Sequence, residues 1–564
     1  MRVRMIELLG AAVVTCLLMA TSAGAAPAPA TGDALVTSGS PPAPFPQNKQ
    51  NEPAVTVDPH RPNVAVAGAN EEIDNAPCNA SDCSFTPGIG DSGVYFSFNG
   101  GSSWTQPTYH GLSARTGTPT PNGPIGTVPN YYEAGLQSDG DPTLAFGPRP
   151  DAAGHFSWSN GARLYYGGLT SNLNAKKSET FKGAEAVAVS YTDNPQAAAA
   201  GQNSAWSSPV VVTKQNSALF SDKPDIWADN AATSPSFGNL YQCNIAFRSN
   251  GGSAEPLVFS RSTDGGRTFS KSQQLSAATG NSRQVGRQGC VIRTDSKGTV
   301  YVFFEGAVNK QSVQEMARSF DGGRTFERPR AVASVTDVGV FDPPQQDVSF
   351  DGVTGARTNS FPSVDIANGA PTGANAPNTI AMTWSDARLG LNHEQALVQL
   401  SGNGGNTWTT PVNAAEAGDR PDFPAVALAP NGSRLYLVYD GFSTPFATNN
   451  DSPRLFAGVV RSASVSGTSP GAFTTLHRGV SGDARGSSAN ALNSEFLGDY
   501  NYAQATNTAV TAVWNDGRNE ADCPAIDAYR DSLLTSSPMA KPAPLAQCPA
   551  TFGNSDIYGG SYSG

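Results

Sequence analysis

Apolar residues in this 564-residue chain fall in short runs of strand length, and the runs come in pairs. Each run is rich in β-branched and aromatic residues and is bounded by Gly, Pro, Asn or Asp, the pattern of a strand between turns. One pair, "EPAVTVDPHRPNVAVAGAN", begins at Glu52, and comparable pairs begin at Asp141, Lys223, Arg287, Phe361, Arg420 and Leu497. After several of them a further hairpin follows. Amphipathic helical periodicity is missing, so an α/β arrangement has little support. Four strands in each unit of about 50 to 80 residues is the rhythm of propeller blades. The pattern predicts an all-β propeller of four-stranded blades, seven of them, or six if one unit is an insertion.

The tips of the outer hairpins repeat almost letter for letter. "RSTDGGRTF", Arg261 to Phe269, returns as "RSFDGGRTF", Arg318 to Phe326, and looser copies end at Trp104 and Trp408. In S-x-D-x-G-x-T-W/F the Asp or Asn side chain accepts hydrogen bonds from N–H groups of its own turn. Glycine supplies the positive φ of a tight hairpin, and the terminal aromatic returns to pack between layers. Ser262, Asp264, Gly266, Thr268 and Phe269 take these roles in one copy, and Ser319, Asp321, Gly323, Thr325 and Phe326 in the next. The motif is read as a fold staple.

Composition narrows the setting. Arg2 and Arg4, the apolar run "LLGAAVVTCLLMA" and the small residues "TSAGAA" have the layout of a secretory signal peptide over residues 1–25, too short in its apolar core for a membrane span. Residues 26–50, rich in Ala, Pro and Ser, read as a mobile leader. Thirty-six basic residues face 47 acidic ones with no Lys/Arg-rich run, which argues against a nucleic-acid partner. Beyond the signal segment stand six cysteines, an even number that suggests disulfides in an exported chain. Spacing favours Cys78–Cys83, Cys523–Cys548 and Cys243–Cys290, although fifteen pairings are open. A zinc site is improbable, because there is no CxxC and the five histidines are scattered. The expectation is a secreted, soluble monomer with no membrane span.

The repeated tip resembles the Asp-box of the sialidase-type β-propellers, and the strand rhythm carries that resemblance over nearly all of residues 50–540. Similar boxes occur in sialidases, other glycoside hydrolases, sortilin-type receptors and non-enzymatic propellers, so the motif speaks for fold and function has to come from a site. The resemblance implies one propeller domain over 51–564, with the box turns on one face and the site on the other. That second face is built from loops leading into each innermost strand and loops leaving the second strand. The incoming loops carry Asp139, Asp141, Asp222, Lys223, Asp225, Arg287, Asp419, Arg420, Asp422, Glu495, Asp499, Tyr500 and Tyr502; the leaving loops carry Glu71, Glu72, Asp74, Glu305, Asp386, Arg388, Asp516 and Arg518. Closed into a ring, these groups would crowd one mouth, where charges shift one another's pKa and acid/base pairs arise. The plain reading of any single Asp is turn chemistry, repeated because the blade is repeated.

Sialidases use three arginines for the substrate carboxylate, a Tyr–Glu nucleophile pair and an Asp acid/base, an exception among glycosidases. The resemblance therefore implies Tyr500 in "GDYNYAQ" as nucleophile, Glu495 as its base, Asp225 as acid/base with Asp499 beside them, and Arg287 as anion clamp. Arg420, Arg388 and Arg518 are further candidates for substrate contact. The chain departs from the family at "QNEP", where Asn51 and Glu52 stand and no arginine is present. The expectation is a sialidase-like glycoside hydrolase with a divergent site, acting on an extracellular glycan or glycoconjugate. A non-catalytic glycan- or protein-binding propeller and a polysaccharide lyase are the alternatives. No cofactor is required by this chemistry, and Ca²⁺, which prefers oxygen ligands, is a candidate guest of an acidic mouth. "GTSPG" from Gly467 lacks the helix a nucleophile elbow needs, and "HEQAL" from His393 lacks the second histidine of a metalloprotease helix.

Overall fold

The computed structural model describes residues 32–37, 49–76, 85–173, 180–213, 219–248, 255–276, 288–352 and 354–564. Seven antiparallel sheets follow one another along the chain, and each begins with its innermost strand. Those strands are Gln50–Val57, Thr143–Pro150, Leu219–Ala228, Gln288–Thr294, Ser363–Ile366, Arg420–Leu428 and Tyr502–Ala505, for blades 1 to 7. Every innermost strand touches the next, and that of blade 7 touches that of blade 1, so the ring is closed. The seven units expected from the sequence are the seven blades.

The seal is made by both ends of the chain. Asp556–Tyr562 forms the third strand of blade 7, and Ala34–Leu35 pairs along its outer edge. Part of the leader is thus a strand and not a tether: Asp33 pairs with Arg518 at 2.5 Å, and Val36 is buried between blades 7 and 1.

The core explains why the strands carry continuous apolar runs rather than a clean alternation. Each sheet is covered on both faces, so successive residues point at different neighbours. In blade 6, Val426, Leu428, Leu435 and Leu437 pack toward blade 5, while Ala425, Ala427, Tyr436 and Val438 pack toward blade 7. The same two-sided packing recurs around the ring, giving a buried layer at every blade boundary.

The repeated tips join the third and fourth strands of blades 3, 4 and 5, and in blade 1 the tip follows the third strand and returns to it through a single bridge, Phe96 with Thr105. In blade 3, Asp264 Oδ1 accepts from Ser262 Oγ at 2.7 Å and from the N–H groups of Arg267 and Thr268, both at 3.0 Å. Asp321 repeats this geometry in blade 4, and Asn99 and Asn403 stand in for it in blades 1 and 5. The closing aromatic reaches back to the preceding blade: Phe326 meets Phe259 edge-on at 4.7 Å, and Trp408 meets Phe303 at 6.1 Å. The leading arginine reaches forward. Arg261 donates to the Gly322 carbonyl at 2.9 Å, and Arg318 donates to Gly404 at 2.8 Å. The nonapeptide recurs because each copy holds its own turn and the turn of the next blade.

The Cys243–Cys290 disulfide links blades 3 and 4, and Cys523–Cys548 clamps the Pro524–Ser532 helix inserted in blade 7. Cys78 and Cys83 lie outside the described residues. Among the described residues no helix is long and apolar enough to cross a membrane.

Candidate functional site

A pocket opens on the propeller axis, on the side where the incoming loops meet. Its wall combines Lys223, Asp225, Asp499, Tyr500 and Tyr502 with Phe361, Phe423 and prolines 142, 224, 362 and 424. Backbone strain places several of these groups. Glu52, Asp141, Lys223 and Phe423 all have positive φ, between 45° and 54°, and each immediately precedes a proline. Non-glycine residues avoid that region, and proline restricts its predecessor further. At three of these positions the innermost strand bulges, with register shifts at Asn51/Ala54, Asp222/Asp225 and Asp422/Ala425. Such strain persists where the surrounding fold over-determines it, commonly at ligand sites. The x-Pro pair at the head of successive strands was its sequence signature.

Lys223 is the centre of the charge network. Its Nζ lies 2.5 Å from Asp499, 3.4 Å from Asp141, and 3.6 Å from both Glu52 and Asp222. Arg357 grips Asp499 through both nitrogens, Nε at 2.7 Å and Nη2 at 2.5 Å, and also reaches Glu52 at 3.5 Å. Asn70 closes the far side, donating to Glu52 Oε2 at 2.8 Å and accepting the Asp141 N–H at 2.8 Å. Two glycines permit the approach. A Cβ on Gly140 would fall 2.3 Å from Asn70 Oδ1, and one on Gly498 would fall 2.6 Å from Glu52 Cγ, both at positive φ.

The carboxyl groups titrate in opposite directions. Burial works against ionising Asp499, but Arg357 and Lys223 outweigh it and hold the group well below the usual carboxylate range. Asp141 is raised well above that range, first by burial and then by the charge of Glu52. Burial also opposes the Lys223 ammonium, yet its surrounding carboxylates keep it charged. The Tyr500 ring lies 5.9 Å from Lys223 Nζ, and burial followed by Asp141, Glu52, Asp499 and Asp222 pushes its phenol far up.

Below the pocket the axis is filled. Asp225 accepts from Thr143 at 3.0 Å, Tyr502 at 3.2 Å, the Ile292 N–H at 2.8 Å and Arg293 at 3.2 Å. Arg293 lies over the Trp227 ring at 4.6 Å and faces Asp365 at 3.7 Å. These contacts tie blades 2, 3, 4, 5 and 7 together beneath the mouth.

The structure gathers Asp499, Tyr500 and Asp225 at the pocket and takes other expected site residues elsewhere. Glu495 is fully buried, pairs with Arg454 and accepts the Ala356 N–H at 3.2 Å, so it is a structural anion and not a partner of Tyr500. Arg420 is buried between Asp351 at 2.6 Å and Glu394 at 3.1 Å. Arg388 folds onto Asp386 at 2.7 Å, and Arg518 onto Asp516 at 2.7 Å. None of these three arginines lines the pocket, because each has a nearer carboxylate of its own. Arg287 lies outside the described residues. The blade 1 leaving loop does not reach the pocket: Glu71 binds Gln50 and Tyr95, Glu72 binds Lys49, and Asp74 binds Arg115. Sequence reading passed over Glu52 and Arg357. The first was visible as the residue before Pro53. Arg357 gave no signal, since it sits in the insertion between blades 4 and 5, after the Val340–Asp342/Asp347–Ser349 hairpin.

No known family model matches the chain, and no curated protein does. Solved structures that align with it include Trypanosoma rangeli sialidase in complex with the inhibitor DANA, at 12% identity and TM-score 0.38, covering 74% of this chain and 56% of that one. The leech intramolecular trans-sialidase aligns at 12% identity and TM-score 0.39, over 70% of this chain and 65% of that one. A Dyadobacter fermentans protein of unknown function aligns at 12% identity and TM-score 0.35, over 75% and 93%. The match thus spans little more than half of the trypanosomal enzyme. The seven-bladed propeller fold rests on the closed ring of innermost strands.

Proposed function

We propose that the chain is an exported Asp-box propeller that hydrolyses a glycosidic bond of an extracellular glycan, with a carboxyl pair in place of the sialidase tyrosine. The observation that carries this reading is the pairing of Asp499 with Asp141. Both lie on Lys223 Nζ, at 2.5 and 3.4 Å, so their oxygens are at most 5.9 Å apart, the sum of those distances. Arg357 and Lys223 hold one well below the usual carboxylate range, while burial and then Glu52 push the other above it, the division of labour a glycosidase needs. Carboxyl groups about 5 to 5.5 Å apart belong to retaining enzymes. In that scheme Asp141 gives its proton to the leaving oxygen as the C1–O bond breaks, and the Asp499 carboxylate adds to C1. Water, deprotonated by Asp141, then releases the sugar. Tyr500 keeps its proton and serves as wall with Phe361 and Phe423. Export is supported by the N-terminal layout and by the two disulfides, bonds that persist in oxidising compartments.

The test is turnover of a panel of 4-methylumbelliferyl glycosides by wild type, Asp499→Asn and Asp141→Asn. Each substitution is expected to lower kcat by about 10²-fold or more on whichever glycoside is cleaved. Full activity in both variants would sink the carboxyl-pair assignment. Retention of a glycan without turnover would support the binding propeller instead, a reading favoured by one feature: Lys223 and Arg357 are already engaged by carboxylates of the protein.

A further inference from the structure

The mouth holds four carboxylates, Glu52, Asp141, Asp222 and Asp499, against two cations, Lys223 and Arg357. Both cations are engaged by these carboxylates, Lys223 by all four and Arg357 by Asp499 and Glu52. All four carboxylates lie within 3.6 Å of Lys223 Nζ, and the planar fork of Arg357 is closed on Asp499 while its face covers the Phe496 ring at 4.8 Å. The next arginine down the axis, Arg293, is taken by Asp225, Asp365 and Trp227. The most accessible carboxylate is Asp222, with 23% of its side chain exposed against 6% for Asp141 and Asp499.

From this inventory we infer that the mouth selects sugars without a carboxylate, and among them favours amino sugars whose ammonium can join the carboxylate ring. This deepens the glycan reading above and rests on it. A sugar acid entering the pocket would set its charge beside Asp499, with Asp222 behind it on the same Lys223, where the two described cations of the mouth are already engaged. Bidentate arginine recognition, the usual way to hold a carboxylate, would require Arg357 to release Asp499. An ammonium meets the opposite situation: Asp222 already lies at 3.6 Å from one such group and is open to a second. An uncharged sugar is accepted through the apolar walls, Tyr500, Phe361 and Phe423, without disturbing the network.

The test is calorimetric binding of four probes to the full chain at low salt: lactose, 3′-sialyllactose, N-acetylated chitotriose and its de-acetylated form. Sialyllactose is expected to bind at least tenfold more weakly than lactose, and the de-acetylated trimer at least as tightly as the acetylated one. Asp222→Asn should narrow both gaps severalfold, and because Asp222 is partly exposed this variant is expected to fold. Sialyllactose binding more tightly than lactose, or an amine that weakens binding, would overturn the selectivity while leaving the glycan site standing. Failure of all four probes to bind would remove the glycan reading itself, and this inference with it.

Discussion

Two polar regions of the propeller use the same residue types to opposite ends. On one face Asp264 and Asp321 are bound by donors two to four residues away, and each turn is complete in itself. On the axis Asp499 is bound by Lys223 and Arg357, from blade 3 and from the insertion before blade 5, and its network includes Glu52 of blade 1. The first arrangement costs little to build, because its donors arrive with the turn. The second removes Glu52, Asp141, Asp499 and Lys223 from water and part of Asp222 and Arg357 with them, and it depends on partners supplied by distant chain. Local polar design specifies the fold, whereas convergent polar design stores charge in one place, and that is the region with chemical capacity.

The largest effect is expected at the centre of the mouth. Lys223→Met leaves four carboxylates without their common cation and should cost about 3–5 kcal/mol of unfolding free energy, the range for breaking a buried pair from one side. Adding Asp222→Asn or Asp499→Asn to that variant should restore part of the loss. Urea unfolding measures both. If Lys223→Met costs no more than a substitution in an outer turn, the contrast between the two regions disappears.

A smaller effect is expected from pH, and its sign follows from the two kinds of carboxyl. Burial raises Glu71, Glu72 and Asp139 to about 7 in the folded chain. Unfolded, they would titrate near 4. Between those values the folded state binds more protons, so their contribution is present at low pH and lost as pH rises through about 7. Asp321 runs the other way: burial opposes it, but hydrogen bonds from Thr325, Ser319 and Arg324 together outweigh burial and bring it to about 2, and its contribution is present above about 4 and lost only below that. The buried groups outnumber the turn in the mild range. The melting temperature should fall by on the order of 5 °C between pH 5 and pH 8, and a melting temperature that rises over that interval would contradict the assigned shifts.

The same division separates what could be read in the sequence from what could not. The ring of blades was legible, because strand period, turn residues and the nonapeptide are local signals that recur; even the seven strand starts fall at the predicted units. The mouth was legible only in part. Asp499, Tyr500 and Asp225 carry the strand-start signal and do reach the pocket. Glu495 and Arg420 carry a similar signal and are diverted by Arg454 and by Asp351 with Glu394, partners that only folding brings near. Arg388 and Arg518 each lie two residues from the aspartate that captures them, in "SDAR" and "NDGR", so their fate was written in the sequence as an i,i+2 pair. Arg357 could not be found by any local rule, since its role is fixed by the path of an insertion.

The smallest effect tests whether the outer turns are as self-contained as their hydrogen bonds imply. Asp264→Ala removes acceptors for the exposed Arg267 and Thr268 and for the buried Ser262, and should cost about 1 kcal/mol, with Asp321→Ala similar. One physical link joins the two turns: Arg261, which opens the first nonapeptide, donates to the Gly322 carbonyl of the second. Independent turns would make the double variant's loss equal the sum of the single losses within about 0.5 kcal/mol. Arg261→Lys, which keeps the charge but not the fixed fork, should by itself cost less than either. A double variant that departs from additivity by more than about 1 kcal/mol, with the departure abolished by Arg261→Lys, would show that the forward-reaching arginine makes neighbouring turns one cooperative belt. Additivity, by contrast, would leave the belt as separate staples and confine ring-spanning polar coupling to the axis, in the mouth and in the Asp225–Arg293 network beneath it.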